Sequence, residues 1–232
     1  DEDVATPFHA GAVSRCAPVK TAHSTHPPPC RESPRVRPHR LNTIAVIPCL
    51  NEARTIGPLV SALTPHVHAS LVVDDGSTDD TSAVATQAGA RVLRHPHPLG
   101  KGAALATGWT SAASSGASWV LLLDGDGQHA PEDAPGLFAA ATPDIRLVVG
   151  DRTPQAHSMP WIRRLTNRCM SRWIASLAGV PIPDSQCGYR LVHLPSLERV
   201  RLQTRQFEIE SEMIVAFARA NLGIAAAPIQ VR

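Results

Sequence analysis

Beyond residue 42 the chain alternates between short apolar runs and longer stretches whose apolar positions recur every three or four residues. Short β-branched or apolar runs bounded by Gly, Pro or Asp mark buried strands, and the longer repeat marks helices packed by one face. Strands are expected at 43–47, 71–73, 91–93, 119–123, 145–149 and 224–227. Helices are expected from an N-cap at Asn51 to about Leu63, from 78–81 to about Ala88, and from 100–102 to about Ser115. Further helices are expected at 131–141, at 160–178, and from within 207–213 to about Ala220. Pro48 reads as the stop of the first strand, and Pro58 as a kink in the first helix because it lacks an N–H. Strand and helix alternate four times with short loops, which implies a mostly parallel, Rossmann-like sheet flanked by helices in one α/β domain.

Residues 1–40 have a different texture. Pro7, Pro18, Pro27, Pro28, Pro29, Pro34 and Pro38 stand among His, Arg, Ser and Thr, without apolar periodicity. Such a segment buries too little to offset its ordering entropy, so a flexible extension is expected there and a folded domain over 41–232. His23, His26, Cys30 and His39 match no zinc spacing. Five cysteines without a CxxC pair indicate free thiols in a reducing compartment. A net charge of +2 with no basic-aromatic constellation argues against nucleic acid as a partner. The acidic start lacks a signal-peptide pattern, and no apolar run is long enough to span a bilayer. The expected location is therefore cytoplasmic, with any membrane contact made from the surface.

Chemistry gathers at three strand ends: 48–52, Asp74 to Ser77, and Asp124-Gly125-Asp126-Gly127-Gln128. In a parallel sheet these loops share one edge, beyond the carboxyl ends of the strands where ligands bind. Two carboxylates one residue apart at a strand tip call for a cation. A hard, oxygen-loving ion would complete its shell with substrate phosphate oxygens. Alone, the same Asp/Gly turn reads first as a strand cap; the convergence of three loops is what points to a site.

Four segments in order carry a resemblance: Val46 to Glu52, Val72 to Asp79, Gly100-Lys101-Gly102, and Leu123 to His129. Together they resemble family 2 inverting glycosyltransferases of the GT-A fold, and among these the polyprenyl-phosphate (dolichol-phosphate) mannosyl- or glucosyltransferases. The resemblance runs from about Thr43 to Arg232. It implies that Pro48, Leu50, Glu52, Val73 and Asp75 line a nucleotide pocket. It further implies that Asp124, Asp126 and Gln128 hold Mg²⁺ or Mn²⁺ against a nucleoside-diphosphate sugar, with Gly125 letting the backbone come close. Lys101 reads either as a phosphate-facing cation at a helix start or as a solvated loop lysine.

In the second half, the resemblance assigns Arg152 to phosphate, where position alone would make it a surface arginine. Over 160–178, Ile162, Leu165, Cys169, Trp173 and Leu177 recur at helical spacing beside Arg163, Arg164, Arg168 and Arg172. This basic amphipathic helix suits either a membrane surface or packing against the core. A lipid-phosphate acceptor favours the membrane, and Arg164 and Asn167 are expected near the acceptor phosphate. The segment Asp184 to Arg190 matches a further family motif beside sugar and acceptor. Asp184 is the carboxylate nominated as a base, and Arg190 is placed with phosphate. The acids after Phe207 read as helix-start charges. The family continues a few residues past an Arg at the position of Arg232, itself an expected phosphate contact, so a truncated C-terminus is expected. The implied reaction is transfer of a hexose, GDP-mannose or UDP-glucose being the donor, to polyprenyl phosphate. The alternatives are a saccharide acceptor or a non-catalytic nucleotide-sugar binding domain; oligomeric state is not readable.

Overall fold

The computed structural model describes residues 42–154, 161–204 and 208–230; the extension expected over 1–40 and Arg232 fall outside them. One sheet runs in the order β3-β2-β1-β4-β6-β5-β7. Strands β1 (Thr43–Cys49), β2 (Ala69–Asp74), β3 (Arg91–Arg94) and β4 (Trp119–Leu122) are parallel, and β1 pairs with β2 on one side and β4 on the other. Residues 43–47 and 119–122 are buried throughout, as strands covered on both faces require. The strand order reverses between β1 and β4, which opens a crevice at their carboxyl ends.

Of the remaining strands only β6 departs from the expected parallel pattern. β6 (Arg190–His193) lies antiparallel to both β4 and β5 (Ile145–Asp151), while β7 (Gly223–Pro228) is parallel to β5. Four residues with Arg and His at the ends show no periodicity, so β6 is invisible in the sequence; strands on both sides bury all four. Trp119 meets its register partner His193 with ring centroids 4.9 Å apart.

The helices are α1 (Ile56–Leu63), α2 (Thr81–Gln87), α3 (Lys101–Ser114), α4 (Ala134–Ala140), α5 (Trp161–Ala178), α6 (Leu194–Leu197) and α7 (Ile209–Arg219). Pro48 lies inside β1 and does not end it. Asn51 is not a helix cap: it sits at φ 60°, and its side-chain oxygen accepts the Thr78 N–H at 2.8 Å. Helix α1 begins only at Ile56, which places Pro58 in the first turn, where a missing N–H is harmless and no kink follows. A side chain at Gly108 would run into Val46 and come within 3.2 Å of Val73, so α3 lies tight on β1 and β2. That contact carries the start of α3 to the crevice.

Candidate active site

The crevice holds a cavity of about 480 Å³. Pro48, Leu50 and Glu52 line it from the end of β1, Asp75 from β2, Lys101 from the start of α3, and Asp124, Gly125 and Asp126 from β4. Every residue expected to hold a nucleotide sugar is there except Val73. Val73 is fully buried and faces Gly108 of α3, because alternate residues of a strand point to opposite faces.

Buried hydrogen bonds stitch the loops into one rim. Asp75 accepts the Leu99 N–H (2.9 Å) and the Gly100 N–H (2.8 Å), and its Oδ1 lies 2.7 Å from Nδ1 of the buried His95. Most of its acceptor capacity is therefore spent on fixing the turn before α3. Asp74 is buried, which works to raise its pKa; hydrogen bonds from Ser77 and Ser82 outweigh this and hold it below the usual carboxylate value. The Glu52 N–H donates to Thr81 Oγ1 at 2.8 Å, and the Thr55 hydroxyl donates to the Gly125 carbonyl at 2.6 Å. Neither His95 nor Thr55 carries a sequence signal, since both act through loops brought together by the sheet.

The acids at the tip of β4 meet partners from distant parts of the chain. Lys101 Nζ lies 2.6 Å from Asp124 Oδ1 and 2.6 Å from Glu210 Oε1. Burial pulls the Lys101 pKa down, but the Glu210 and Asp124 charges outweigh it and hold the ammonium above its ordinary value. Lys101 is thus an ion-paired residue of the cavity wall and not a solvated loop lysine. Glu210, read from sequence as a helix-start charge, is a member of this cluster. A Cβ at Gly125 would lie 2.5 Å from Cys49 Sγ, which accounts for glycine there. His129 is buried, with Nε2 3.9 Å from Asp124 Oδ2; desolvation lowers its pKa and favours the neutral ring.

Among the described residues no three His, Cys, Asp or Glu side chains form a ready metal cage. Asp124 and Asp126 nevertheless supply hard oxygens open to the cavity, and that donor set fits a divalent cation completing its shell with a ligand's phosphates. Gln128 differs from expectation: it is exposed and not part of the cavity wall, and its backbone N–H bonds Asp126 Oδ1 at 3.0 Å.

Two second-half assignments need correction. Arg190 is 1% exposed and donates to the carbonyls of Cys187, Ser185 and Glu210, so it braces the start of β6 and offers no face to a phosphate. Asp184 is 5% exposed, and both its oxygens are held by Arg152, Nε at 2.6 Å and Nη2 at 3.0 Å. A carboxylate so engaged is an anchor, not a free base. Burial works against the Arg152 charge, but Asp184 outweighs it and holds the guanidinium pKa above its ordinary value. Asn167 is half-buried on α5; the side chain of Arg164, like Arg232, lies outside the described residues.

On α5, Leu165, Met170, Trp173 and Leu177 are exposed beside Arg168 and Arg172, while Ile174 is buried and α5 packs on α7. No helix among the described residues is long and apolar enough to cross a membrane.

Comparison with known proteins agrees with this geometry. The model of glycosyl transferase family 2 matches residues 44–201. An uncharacterized protein of Methanocaldococcus jannaschii is 30% identical over 193 residues, covering 80% of this chain and 79% of that protein. A polyprenol monophosphomannose synthase of Mycolicibacterium smegmatis is 32% identical over 179 residues, 72% of this chain and 67% of that protein. Among solved structures, glucosyl-3-phosphoglycerate synthase of Mycobacterium tuberculosis with Mn²⁺, UDP-glucose and phosphoglyceric acid superposes with a TM-score of 0.66 at 26% identity. That match covers 82% of this chain and 71% of the other. The chain belongs to glycosyl transferase family 2, and it is a glycosyltransferase of the GT-A fold.

Proposed function

We propose that the protein transfers a hexose, with inversion, from a nucleoside-diphosphate sugar to a polyprenyl phosphate at a membrane surface. The observation that carries this is the crevice beyond β1 and β4, where Asp124, Asp126 and Lys101 meet the carboxylate-bearing rim. Leu50 and Leu99, both exposed at its mouth, offer apolar surface to a nucleobase. Glu52 and the remaining acceptor capacity of Asp75 suit base N–H or ribose hydroxyl donors. Asp124 and Asp126 would hold Mg²⁺ or Mn²⁺, which when bound offsets charge on the departing diphosphate. Lys101, at the first turn of α3, adds a positive charge on the same side.

An acceptor phosphate is already ionised near neutral pH, so the engagement of Asp184 by Arg152 removes nothing the reaction needs. Catalysis then rests on alignment and leaving-group stabilisation. The apolar, arginine-bearing face of α5 is the support for a lipid acceptor, since basic amphipathic helices bind anionic membrane surfaces. The relative named polyprenol monophosphomannose synthase points the same way. A second reading has its own support: the structural neighbour crystallised with phosphoglyceric acid suggests a small, water-soluble phosphorylated acceptor.

One experiment separates them. GDP-mannose and UDP-glucose are each supplied with Mn²⁺ to the protein, with a short prenyl phosphate or with phosphoglyceric acid. Transfer to the prenyl phosphate is expected, with a loss of about a hundredfold or more in Asp126→Asn. Transfer to phosphoglyceric acid alone establishes the second reading, and full turnover by Asp126→Asn removes the metal assignment.

A further inference from the structure

One ammonium bridges two carboxylates that lie 86 positions apart in the chain, Asp124 and Glu210, each 2.6 Å from Lys101 Nζ. Glu210 is not part of the donor cavity wall, and only 11% of its side chain is exposed. Its backbone carbonyl accepts Arg190 Nη1 at 2.5 Å, which fixes the start of α7 against β6. Gly188 leaves room for the cluster: a Cβ there would lie 2.7 Å from Asp124 Oδ2 and 3.1 Å from Glu210 Oε1.

A carboxylate in contact with an ammonium is a poor cation ligand, because two positive charges compete for it. With Asp124 as the sole carboxylate at Lys101, cation binding would leave a largely buried ammonium without its counter-ion, and breaking a buried pair in that way is costly. A second carboxylate removes the obstacle. We infer that Glu210 is a positioning residue that keeps Lys101 ion-paired when Asp124 turns to a divalent cation. Lys101 then remains at the first turn of α3, on the cavity wall. The inference rests on the metal-dependent reading given above.

The test is a double-mutant cycle read on Mn²⁺ binding, not on turnover. Mn²⁺ is titrated into the wild-type chain, Glu210→Gln, Lys101→Met and the double variant, and free Mn²⁺ is followed by electron paramagnetic resonance. Glu210→Gln is expected to weaken binding about tenfold, equivalent to about 1.4 kcal/mol. Lys101→Met is expected to strengthen it. In the Lys101→Met background, Glu210→Gln is expected to change binding by less than about threefold, since the residue it acts through is gone. An equal loss in both backgrounds, or no loss in either, overturns the inference while leaving the metal site standing. A wild-type chain that takes up Mn²⁺ neither alone nor with GDP or UDP overturns the metal reading and this inference together. If binding requires the nucleotide, the same non-additivity is required in its presence. Should Glu210→Gln fail to fold, Lys101→Met alone decides: Mn²⁺ affinity no higher than wild type overturns the role.

Discussion

Replacing Arg152 by Met asks whether Asp184 is an anchor or a reagent. The guanidinium grips Asp184 through Nε (2.6 Å) and Nη2 (3.0 Å), and the only other hydrogen bond to that carboxylate among those described comes from the Gln186 N–H at 3.2 Å. Without Arg152, a carboxylate that is 5% exposed keeps its charge with a single amide to solvate it. Removing one partner of a buried pair costs about 3–5 kcal/mol. Arg152 retains 15% side-chain exposure, so the lower end, about 3 kcal/mol, is the expected loss. In a domain of this size each kcal/mol lowers Tm by about 2–4 °C, giving a drop of about 6–12 °C. Asp184→Asn keeps shape and an acceptor and leaves Arg152 able to reach water, so about 1–2 kcal/mol is expected. The double variant strands no charge and should be more stable than Arg152→Met alone. Urea melts of the four proteins supply the numbers. An Arg152→Met loss below about 1 kcal/mol, or strict additivity in the double variant, would refute the pair as a structural anchor.

Further outcomes follow from other contacts. Gly125→Ala pushes a methyl to 2.5 Å from Cys49 Sγ and should cost about 1–3 kcal/mol. Adding Cys49→Ala should restore most of that loss in thermal melts, and a Gly125→Ala protein as stable as wild type would disprove the close approach. Burial, helped by the Arg146 charge, lowers the His193 pKa from 6.5 to about 4. The unfolded ring therefore takes up a proton before the folded one, so stability declines as pH drops below 6.5 and this group's effect is complete by about 4. Allowing for solvent screening, the loss is about 2 kcal/mol, and His193→Gln should show a correspondingly flatter pH dependence of its urea midpoint. On α5, Trp173→Asp and Leu177→Asp alter side chains that are 60% and 47% exposed, so melting should stay within about 0.5 kcal/mol. Each should weaken partition onto anionic vesicles about tenfold, since burying such a side chain is worth about 1.5–3 kcal/mol. Unchanged co-sedimentation of both would remove the membrane face.

The half of the molecule from β1 to β4 was legible in the sequence because its acids sit where local pattern is strongest. The apolar runs of β1, β2 and β4 are buried on both faces, and each ends in a loop that the parallel topology carries to one edge. The loops bearing Pro48, Glu52, Asp75 and Asp124 could be placed at one edge from that alone, while the pocket roles of Pro48, Glu52 and Asp75 came from the family resemblance. What failed depended on contacts between remote segments. β6 is a strand only because β4 and β5 lie on either side of it. Arg190 looks like a ligand until β6 buries its guanidinium among three carbonyls. Glu210 is separated from Lys101 by 109 positions, and nothing in the local pattern of α7 distinguishes it from its neighbours Glu208 and Glu212. Val73 failed for a different reason: it precedes the right loop but points to the other face of the sheet.

The start of α7 emerges as the place where the two sides of the molecule are joined. Glu210 reaches toward the crevice through Lys101, while the adjacent Ser211 hydroxyl accepts from Gln186 Nε2 at 3.1 Å. Gln186 and Ser211 in turn line a groove of about 650 Å³ between α5 and α7, walled by Met170, Trp173 and Leu177. Consecutive residues of one helical turn therefore touch Lys101 of the crevice wall on one side and the apolar groove on the other. The Gln186 N–H also bonds Asp184, so the Arg152 anchor belongs to the same hydrogen-bonded unit. A turn shared in this way ties the position of the groove to that of the crevice. Many charged side chains here are spent on one another: Glu210 and Asp124 on Lys101, and Asp184 on Arg152, so that ion pairs frame the region between the crevice and the groove.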